Sequence, residues 1–415
     1  MRILIVGAGV IGLSSAYCLN RAGHDVTVVD RHADVAAETS FGNGGQLSYS
    51  YVAPLAGPGV VSKLPGWLVR GDAPVRFRPR LDARQWRWCI AFLRACTRRR
   101  SDLTTRELLS LSFLSRTLMH ELIAAEPQLD FDFTRSGKLV LHRDAAAMHG
   151  ALRQLEFQRT LGCEQYALDA DACVALEPAL ADVRPQLAGG IHTPGEDTAD
   201  CRRFCAGLEG LLRARGVRFV METGIDRLNV SADGHVFALH DGAPLDADHL
   251  VVASGAACAS LLKPLGIHVP VYPLKGYSLT FDLQPGVRAP HVSVTDFGRK
   301  VVYARLGSRL RVAGIADLEG DSLAPDPRRI ATLRAETAAL FPDVGSGAAV
   351  EWTGLRPATP RGTPIVGPTR FRNLWLNVGH GALGFTLAMG AAALLAERLA
   401  GGRHSALHDT FAPAG

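Results

Sequence analysis

The 415-residue sequence lacks several features that would assign it to a class of protein at once. It has no unbroken apolar run of the roughly eighteen residues that a transmembrane helix needs, so no such helix is expected. Its eight cysteines form no CxxC pair and no cluster with histidine, so we expect reduced thiols and no metal site. Internal repeats and low-complexity tracts are also missing. A chain of this length and apolar content is predicted to form two domains and a large core.

Lysine is scarce, with five lysines against forty arginines, and the net charge of +5 is unevenly distributed. Residues 76–100 contain nine arginines and one acid, interleaved with Trp86, Trp88 and Phe92. This composition is typical either of contact with an anionic membrane surface or of a solvated arginine-rich face. Nucleic-acid binding is not expected, because no known nucleic-acid-binding motif accompanies the segment.

The N-terminal apolar run is predicted to be a strand rather than a signal peptide, because a glycine motif follows it at once. We therefore expect a cytoplasmic protein. Under the membrane interpretation of residues 76–100, it would be peripheral on the inner face of the membrane.

The first thirty residues carry a dinucleotide-binding pattern. Gly7, Gly9 and Gly12 follow the first predicted strand and begin a helical pattern, and Asp30 ends the next apolar run. Gly7 permits a sharp turn, Gly9 lets the backbone approach a pyrophosphate, and Gly12 lets the helix pack close to the strand. Asp30 is spaced to accept hydrogen bonds from a ribose. The pattern predicts a βαβ unit with phosphates at the helix N-terminus.

Further pieces of a nucleotide-binding fold occur in the middle and at the end of the sequence. Apolar spacing predicts a helix over 198–215, a strand at 217–220 and another strand at 250–253. A strand at 374–378 precedes an apolar helix over 385–399. The cofactor domain is therefore expected to be discontinuous.

The intervening segments have different patterns. Residues 101–125 show leucines at helical spacing, and residues 270–315 alternate as strands. We predict an α/β fold in which a Rossmann-like cofactor domain is interleaved with an α+β substrate domain on a mainly antiparallel sheet. The predicted ranges are 1–80, 185–265 and 350–415 for the cofactor domain, and 81–184 and 266–349 for the substrate domain.

Two segments have residue types suited to a cofactor. Glu38–Gln46 combines glycines and hydroxyls that favour close contact with a flat ring and phosphates, although such a segment also forms surface turns. Gly379–Gly384 precedes the last predicted helix, whose first N–H groups would stabilise negative charge on a reduced flavin. His380 within it is either a site residue or a capping or core histidine.

Arg305 and Arg356 each stand in an apolar setting. A buried arginine needs an anion, and its planar guanidinium matches a carboxylate. With Tyr277 from a neighbouring predicted strand, the two arginines would clamp the α-carboxylate of an amino acid. The alternative is a structural Arg–Asp pair.

The order of these motifs resembles that of the D-amino-acid-oxidase family of flavoproteins, the glycine-oxidase-like FAD oxidoreductases. Within that family the chain is most similar to the bacterial D-amino acid dehydrogenase branch. The resemblance runs from Met1 to about Gly402. The matching stretches are Glu38–Ser48, Pro194–Cys201, Val271–Ser278, Trp352–Pro357, Gly362–Gly367 and Asn377–Gly381.

The resemblance implies FAD, held non-covalently because no cysteine follows Cys258 to attach it. It also implies oxidative deamination of D-amino acids to 2-oxo acids and ammonia, with electrons passed to a quinone. Arg356 and Arg305 match positions that bind substrate carboxylate in relatives, and with Tyr277 and His380 they form the predicted catalytic set. The predicted cofactor-binding residues are Gly7, Gly9, Val10, Ile11, Gly12, Asp30, Arg31, Thr39, Ser40, Gly44, Gly45, Gln46, Ile225, Ser254, Gly255, Gly379, Gly381, Leu383, Gly384 and Thr386.

Three alternatives share parts of this pattern. An NAD-dependent dehydrogenase would use the same N-terminal motif and would be colourless. An oxidase or dehydrogenase of glycine, sarcosine or a cyclic imino acid such as D-proline or hydroxyproline would share the fold and the clamp. A non-catalytic flavin-binding subunit would bind the cofactor without bleaching in the presence of substrate.

Overall fold

The computed structural model describes residues 1–61, 73–402 and 407–413. Two large sheets organise this part of the chain, and helices pack on both. The strands are β1 (Arg2–Val6), β2 (Asp25–Val29), β3 (Gln46–Leu47), β4 (Val75–Phe77), β5 (Lys138–His142), β6 (Tyr166–Leu168), β7 (Gly189–Thr193), β8 (Asp197–Thr198), β9 (Arg218–Val220), β10 (Arg227–Val230), β11 (Val236–His240), β12 (Ala243–Leu245), β13 (His249–Val252), β14 (Tyr272–Asp282), β15 (Ser293–Asp296), β16 (Val301–Leu306), β17 (Arg309–Leu318), β18 (Ala349–Ala358), β19 (Ile365–Pro368) and β20 (Leu374–Val378).

Helices separate several groups of these strands along the chain, whereas β10–β13 and β14–β17 follow one another without a helix between them. Short 3-10 helices occupy Pro178–Gln186, Gly255–Ala257, Lys263–Leu265 and Gly381–Leu383. The α-helices of the described residues are α1 (Val10–Arg21), α2 (Ala83–Ala95), α3 (Arg98–Ala125), α4 (Ala145–Arg159), α5 (Ala170–Leu176), α6 (Cys201–Ala214), α7 (Cys258–Leu262), α8 (Pro327–Leu340), α9 (Pro342–Gly345), α10 (Gly384–Leu399) and α11 (Leu407–Phe411).

The first sheet has the strand order β19-β20-β13-β1-β2-β9. Its neighbours pair in parallel except for the edge strand β19, as expected when helices connect the strands. The strands predicted at 217–220, 250–253 and 374–378 are β9, β13 and β20, so the prediction of a discontinuous Rossmann-like sheet is confirmed.

The second sheet has the order β18-β14-β17-β16-β15-β5-β7-β6, with β4 beside β17. It is mainly antiparallel, as predicted; β15 with β5 and β17 with β4 pair in parallel. One face, the core face, packs on α8 and includes Tyr277, Tyr303 and Leu310. The opposite face, the cleft face, lies against the glycine-rich segment after β2. A Cβ at Gly44 would lie 3.1 Å from Val302 on this face.

Two predicted domain ranges need correction. Residues 350–358 were assigned to the cofactor domain, but β18 pairs with β14 from Ala349 to Ala358 and is an edge of the second sheet. The predicted boundary at residue 350 lies before the Trp352–Pro357 motif, but the pairing of β18 with β14 continues through this motif. Helix α3 was assigned to the substrate domain, yet its buried leucines share a core with α1 and α10. Its apolar stripe is buried on the cofactor side.

The segment Gly381–Leu399 is long and apolar enough to cross a membrane. In the structure, 67% of its most apolar window is buried inside the protein. It packs against α1 and α3, so its apolar composition is explained by its central place in the core.

Candidate active site

The loop between β1 and α1 is a tight turn with no room for a side chain at Gly7, where a Cβ would lie 2.6 Å from the Ala253 carbonyl oxygen. Gly7 has a φ of +114°, and a Cβ at Gly12 would lie 1.8 Å from the Gly7 carbonyl oxygen. Helix α1 begins at Val10, whose N–H donates to Ser40 Oγ at 3.0 Å. Ser40 thus lies at the N-terminus of α1, where first-turn N–H groups attract anions. The structure brings these predicted phosphate-binding residues together.

Asp30 lies beside the glycine turn at the end of β2. Its Oδ2 accepts the Ala8 N–H at 2.7 Å, and its Oδ1 accepts the His32 N–H at 2.9 Å. Each carboxylate oxygen has a second lone pair, so Asp30 can still accept from a ribose hydroxyl. The Asp30 carbonyl accepts the Thr223 N–H at 2.8 Å, which brings the segment of Ile225 next to it.

Ser254 borders the glycine turn from the end of β13. A Cβ at Gly7 would lie 3.2 Å from Ser254 Cα, and Ser254 Oγ is buried without a hydrogen-bond partner among the described residues. Arg31, a predicted cofactor contact, is paired within the protein. Its exposed side chain forms an ion pair with Glu38, with Nε donating to Oε1 at 2.9 Å. The nearby acid therefore engages the guanidinium.

The segment after Asp30 crosses the cleft face of the second sheet. Thr39 Oγ1 donates to the Leu355 carbonyl at 2.8 Å, and Gly45 has a φ of +70°. The Gln46 side chain does not project freely toward a ring. Its Nε2 donates to Ser293 Oγ at 2.5 Å, so this amide ties β3 to the substrate domain.

The second glycine-rich loop, before α10, closes tightly against the chain after β18. A Cβ at Gly379 would lie 2.7 Å from the Thr359 side chain, and the backbone of His380 forms an isolated antiparallel β-bridge with that of Ala358. Burial lowers the pKa of His380 to about 3, so its ring is neutral at physiological pH. His380 Nε2 has no hydrogen-bond partner among the described residues. Thr386, another predicted cofactor contact, accepts the Ser48 N–H on its Oγ1 at 3.1 Å and so holds the chain that follows β3.

These residues fit an FAD molecule. Ser254 Oγ is an unpartnered buried hydroxyl beside the glycine turn, where a diphosphate would lie. His380 Nε2 is an unpartnered buried nitrogen in the second glycine loop, where a polar ring edge would satisfy it. Both orphaned atoms lie in segments predicted to contact the cofactor.

Arg356 lies on the cleft face of β18. Its guanidinium covers Gly276, where a Cβ would lie 2.5 Å from Cζ. Its Nη1 donates to the Ile315 carbonyl at 3.1 Å, and its Nη2 lies 3.5 Å from the Gly314 carbonyl. Burial lowers the pKa of Arg356 to about 10, which leaves it charged at neutral pH. No carboxylate of the described residues forms an ion pair with it, so its other N–H groups can bind an anion.

Arg305 and Tyr277 do not join Arg356, and the predicted three-residue clamp does not form. Arg305 pairs with Leu310 and lies on the core face, with Nη1 3.3 Å from the His291 ring nitrogens. The Tyr277 hydroxyl donates to Asp317 Oδ2 at 2.7 Å on that same face. Side chains alternate between the faces of a strand, and the strand register sets these two residues opposite Arg356.

Two residues of this region, Trp352 and Arg311, were not predicted as site residues from the sequence. The Trp352 ring fills the space between two glycines, since a Cβ at Gly42 would lie 2.2 Å from it and one at Gly354 1.8 Å from it. Arg311 is buried on the cleft face and donates to the Asn43 carbonyl at 2.7 Å. The available signal for Trp352 is its place as the first residue of the Trp352–Pro357 stretch that contains Arg356. Arg311 stands in an alternating strand and gave no separate signal.

The chain matches the family described as DAO, FAD dependent oxidoreductase, over residues 2–398. It is 54% identical over 413 residues to "D-amino acid dehydrogenase 2" of Ralstonia nicotianae, covering 96% of each chain. It is 45% identical over 419 residues to "D-amino acid dehydrogenase 2" of Pseudomonas aeruginosa, covering 99% of this chain and 97% of that relative.

Solved structures of similar fold include glycine oxidase from Geobacillus kaustophilus, with a TM-score of 0.80, 20% identity and coverage of 100% of this chain and 98% of that one. Iminodiacetate oxidase from Chelativorans sp. BNC1 gives a TM-score of 0.77, 22% identity and 99% coverage of both chains. At these identities the likeness concerns the fold.

Proposed function

The chain belongs to the DAO family of FAD-dependent oxidoreductases, and on this premise we propose that it is a dehydrogenase that converts D-amino acids to 2-oxo acids and ammonia. Its relatives from R. nicotianae and P. aeruginosa, which carry that substrate class in their names, align over nearly the whole chain. The observation that carries the proposal is Arg356, a half-buried guanidinium on the cleft face whose hydrogen-bond acceptors among the described residues are backbone carbonyls.

In the proposed reaction, Arg356 binds the substrate α-carboxylate through its free N–H groups. This contact fixes the Cα–H relative to the cofactor, and positioning of this kind contributes several kcal/mol to catalysis. FAD held by the glycine turn and Ser254 would supply the hydride acceptor for this Cα–H. His380 is neutral and adds no competing charge for the carboxylate. The ammonium proton leaves to water, and the imino acid hydrolyses in solution.

Anaerobic titration of the purified holoenzyme tests the activity. We expect D-alanine to bleach the flavin absorbance and L-alanine to leave it unchanged. A colourless protein would support the NAD-dependent alternative, and a yellow protein that no amino acid bleaches would support a non-catalytic subunit. Acid precipitation should release the flavin into the supernatant, since we propose that it is held non-covalently.

We further propose that the electrons pass to a membrane quinone through docking of α2. This helix buries Trp88 and Phe92, but Trp86, Ile90 and Leu93 are 46%, 50% and 43% exposed. Their spacing of four and three residues places them on one side of the helix. Arginines surround this apolar stripe, a combination that favours the surface of an anionic bilayer. All eight cysteines are free, in keeping with the proposed cytoplasmic side.

Sedimentation with vesicles containing anionic lipid tests the docking. A triple variant, Trp86→Ser with Ile90→Ser and Leu93→Ser, should lose most vesicle binding. Leu152→Ser with Tyr166→Ser removes other exposed apolar side chains and should bind like wild type. Equal binding of all three proteins would contradict the proposal. Reduction of a soluble quinone without oxygen uptake would identify a dehydrogenase rather than an oxidase.

A further inference from the structure

A buried polar cluster lies behind β3, outside the carboxylate site. Its charged members are Lys138 on β5 and Glu196 in the turn before β8, and each is only 1% exposed. Two ionisable groups of opposite sign are costly to bury, and the proposed reaction at Arg356 uses neither.

Lys138 holds β3 through two neutral acceptors. Its Nζ donates to Gln46 Oε1 and, at 2.8 Å, to Ser48 Oγ. It also lies 4.5 Å from the centre of the Tyr51 ring. Because an ammonium has only donors, Gln46 must turn its carbonyl oxygen toward Lys138 and its amide toward Ser293. Lys138 therefore sets the orientation of the segment predicted to border the flavin ring.

Glu196 holds the continuation of the same segment. Its Oε1 accepts the Ser50 N–H at 2.6 Å, and its Oε2 has no hydrogen-bond partner among the described residues. A buried carboxylate oxygen without a donor disfavours the ionised form, whereas a proton on that oxygen relieves the cost.

The protonation of the two groups is linked. Burial raises the pKa of Glu196 to about 7, against the opposing effect of the Lys138 charge. Burial lowers the pKa of Lys138 to about 8, against the opposing effect of Glu196. The pair therefore takes up and releases protons near neutral pH, and its macroscopic pKa values belong to the pair rather than to either residue.

Other ionisable groups face this pair. The negative charge of Asp197 on β8 helps to raise the pKa of Glu196. Asp197 is itself hydrogen-bonded to His120 on α3 at 2.7 Å. Arg116 on α3 and Arg135 before β5 lie beyond them, toward the surface. The remaining titratable neighbours stay protonated, because burial raises the pKa of each: Tyr49, Tyr51 and Cys163.

We propose that Lys138 and Glu196 are positioning residues that fix Gln46–Ser50 beside the flavin and take up one proton when bound FAD is reduced. The inference rests on the proposed function. Oxidation of the amino acid releases one proton from its ammonium group, and two-electron reduction leaves one negative charge on the cofactor. The ammonium proton passes to water, and Glu196 Oε2 takes a proton from water, so an O–H bond forms there as one in the solvent breaks. With Glu196 neutral, the Lys138 ammonium is left to balance the charge on the cofactor. No further oxidant or reductant is needed.

The test is the midpoint potential of the holoenzyme flavin, measured by spectroelectrochemistry from pH 6 to 9. Between pH 7 and 8 the wild-type potential should fall more steeply with pH than that of Glu196→Gln. The difference is up to about 30 mV per pH unit, a tenfold change in equilibrium constant for a two-electron couple. Equal slopes in the two proteins would overturn the proposal.

Glu319→Gln is the matched control. Glu319 forms a second buried Lys–Glu pair with Lys275, at 2.8 Å, on the core face of the sheet. This variant should keep the wild-type slope, and loss of the steep range there would contradict the assignment to Glu196. Lys138→Arg, which keeps the charge, should also keep it.

Lys138→Met provides an independent arm if Glu196→Gln does not hold FAD. Loss of the Lys138 charge should raise the pKa of Glu196, because that charge opposes the effect of burial. The pH range in which the potential falls steeply should therefore move to higher pH, and an unchanged range would overturn the proposal. The measurement uses no amino acid. Failure of D-alanine to bleach the flavin would therefore refute the proposed function without affecting this result.

Discussion

The opposite orientations of Arg356 and Arg305 give the sharpest prediction about catalysis. Arg356→Ala should lower kcat/KM for D-alanine mainly through a higher KM, while FAD remains bound. Removing a charged donor pair from a buried carboxylate costs about 3 kcal/mol. At 1.4 kcal/mol per factor of ten, the expected loss is roughly 100-fold. Arg356→Lys keeps the charge without the planar fork and should fall between the two proteins.

Arg305→Ala is the control within the same sheet. Its guanidinium is directed to His291 on the core face, so kcat/KM should change by less than about threefold, as for a surface substitution. Steady-state kinetics with a dye acceptor, together with the flavin-to-protein absorbance ratio, separates substrate binding from loss of cofactor. The assignment of the carboxylate site is refuted if Arg305→Ala matches Arg356→Ala, or if Arg356→Ala leaves KM near wild type.

Three further predictions follow from the geometry. Gly276→Ala puts a Cβ 2.5 Å from Arg356 Cζ and should raise KM roughly 10- to 100-fold with normal FAD content, as measured by kinetics; an unchanged KM would show that Arg356 can move freely. Gly12→Ala should abolish FAD binding because its Cβ would lie 1.8 Å from a carbonyl oxygen. Gly23→Ala meets no atom within 4 Å and should retain FAD, but its positive φ should lower the unfolding free energy by about 1–2 kcal/mol. The A450/A280 ratio measures the bound FAD, and thermal melts measure the stability. The pKa of His380 is lowered from 6.5 to about 3 in the folded state, so the unfolded state binds the extra proton and stability falls as pH drops from 6.5 toward 3, by at most about 1.4 kcal/mol per pH unit from this group. His380→Asn should therefore show a smaller decrease in Tm between pH 7 and pH 5 than wild type, and parallel curves would contradict this origin.

Local patterns were sufficient to predict the cofactor side of the fold. The glycine turn, Asp30, β20 and α10 are specified by short runs of apolar residues and by glycines that any side chain would block. These features depend on neighbours close in sequence, so the sequence alone locates them.

The facing of side chains in the second sheet depends on distant partners and was not predictable. Tyr277 pairs with Gly314 while Gly276 pairs with Ala316, so a bulge at Ile315 shifts the register by one residue. Ile315 has a φ of +54°. Alternation within one strand does not show which face meets the cofactor domain, and the predicted clamp failed at Arg305 for that reason.

Lys138 illustrates the same limit from another direction. In sequence it is one lysine at the start of an apolar strand, where an exposed strand end is the ordinary expectation. Its burial results from the crossing of β3 over β5, which brings Gln46 and Ser48 within hydrogen-bond reach of its ammonium group. The burial of Lys138 is therefore set by tertiary contacts and cannot be predicted from the residues around it in sequence.

The central position of β1 between β2 and β13 has a consequence for biosynthesis. The wall behind Gly7 is made by Ala253, and β20 completes the sheet beyond β13. At about 5–20 residues per second, a ribosome needs roughly 12–50 s to supply Ala253 and roughly 19–74 s to supply β20 after the glycine loop has emerged. The loop thus waits unsupported for most of translation, and the nascent chain should depend on chaperones until its last strands are made.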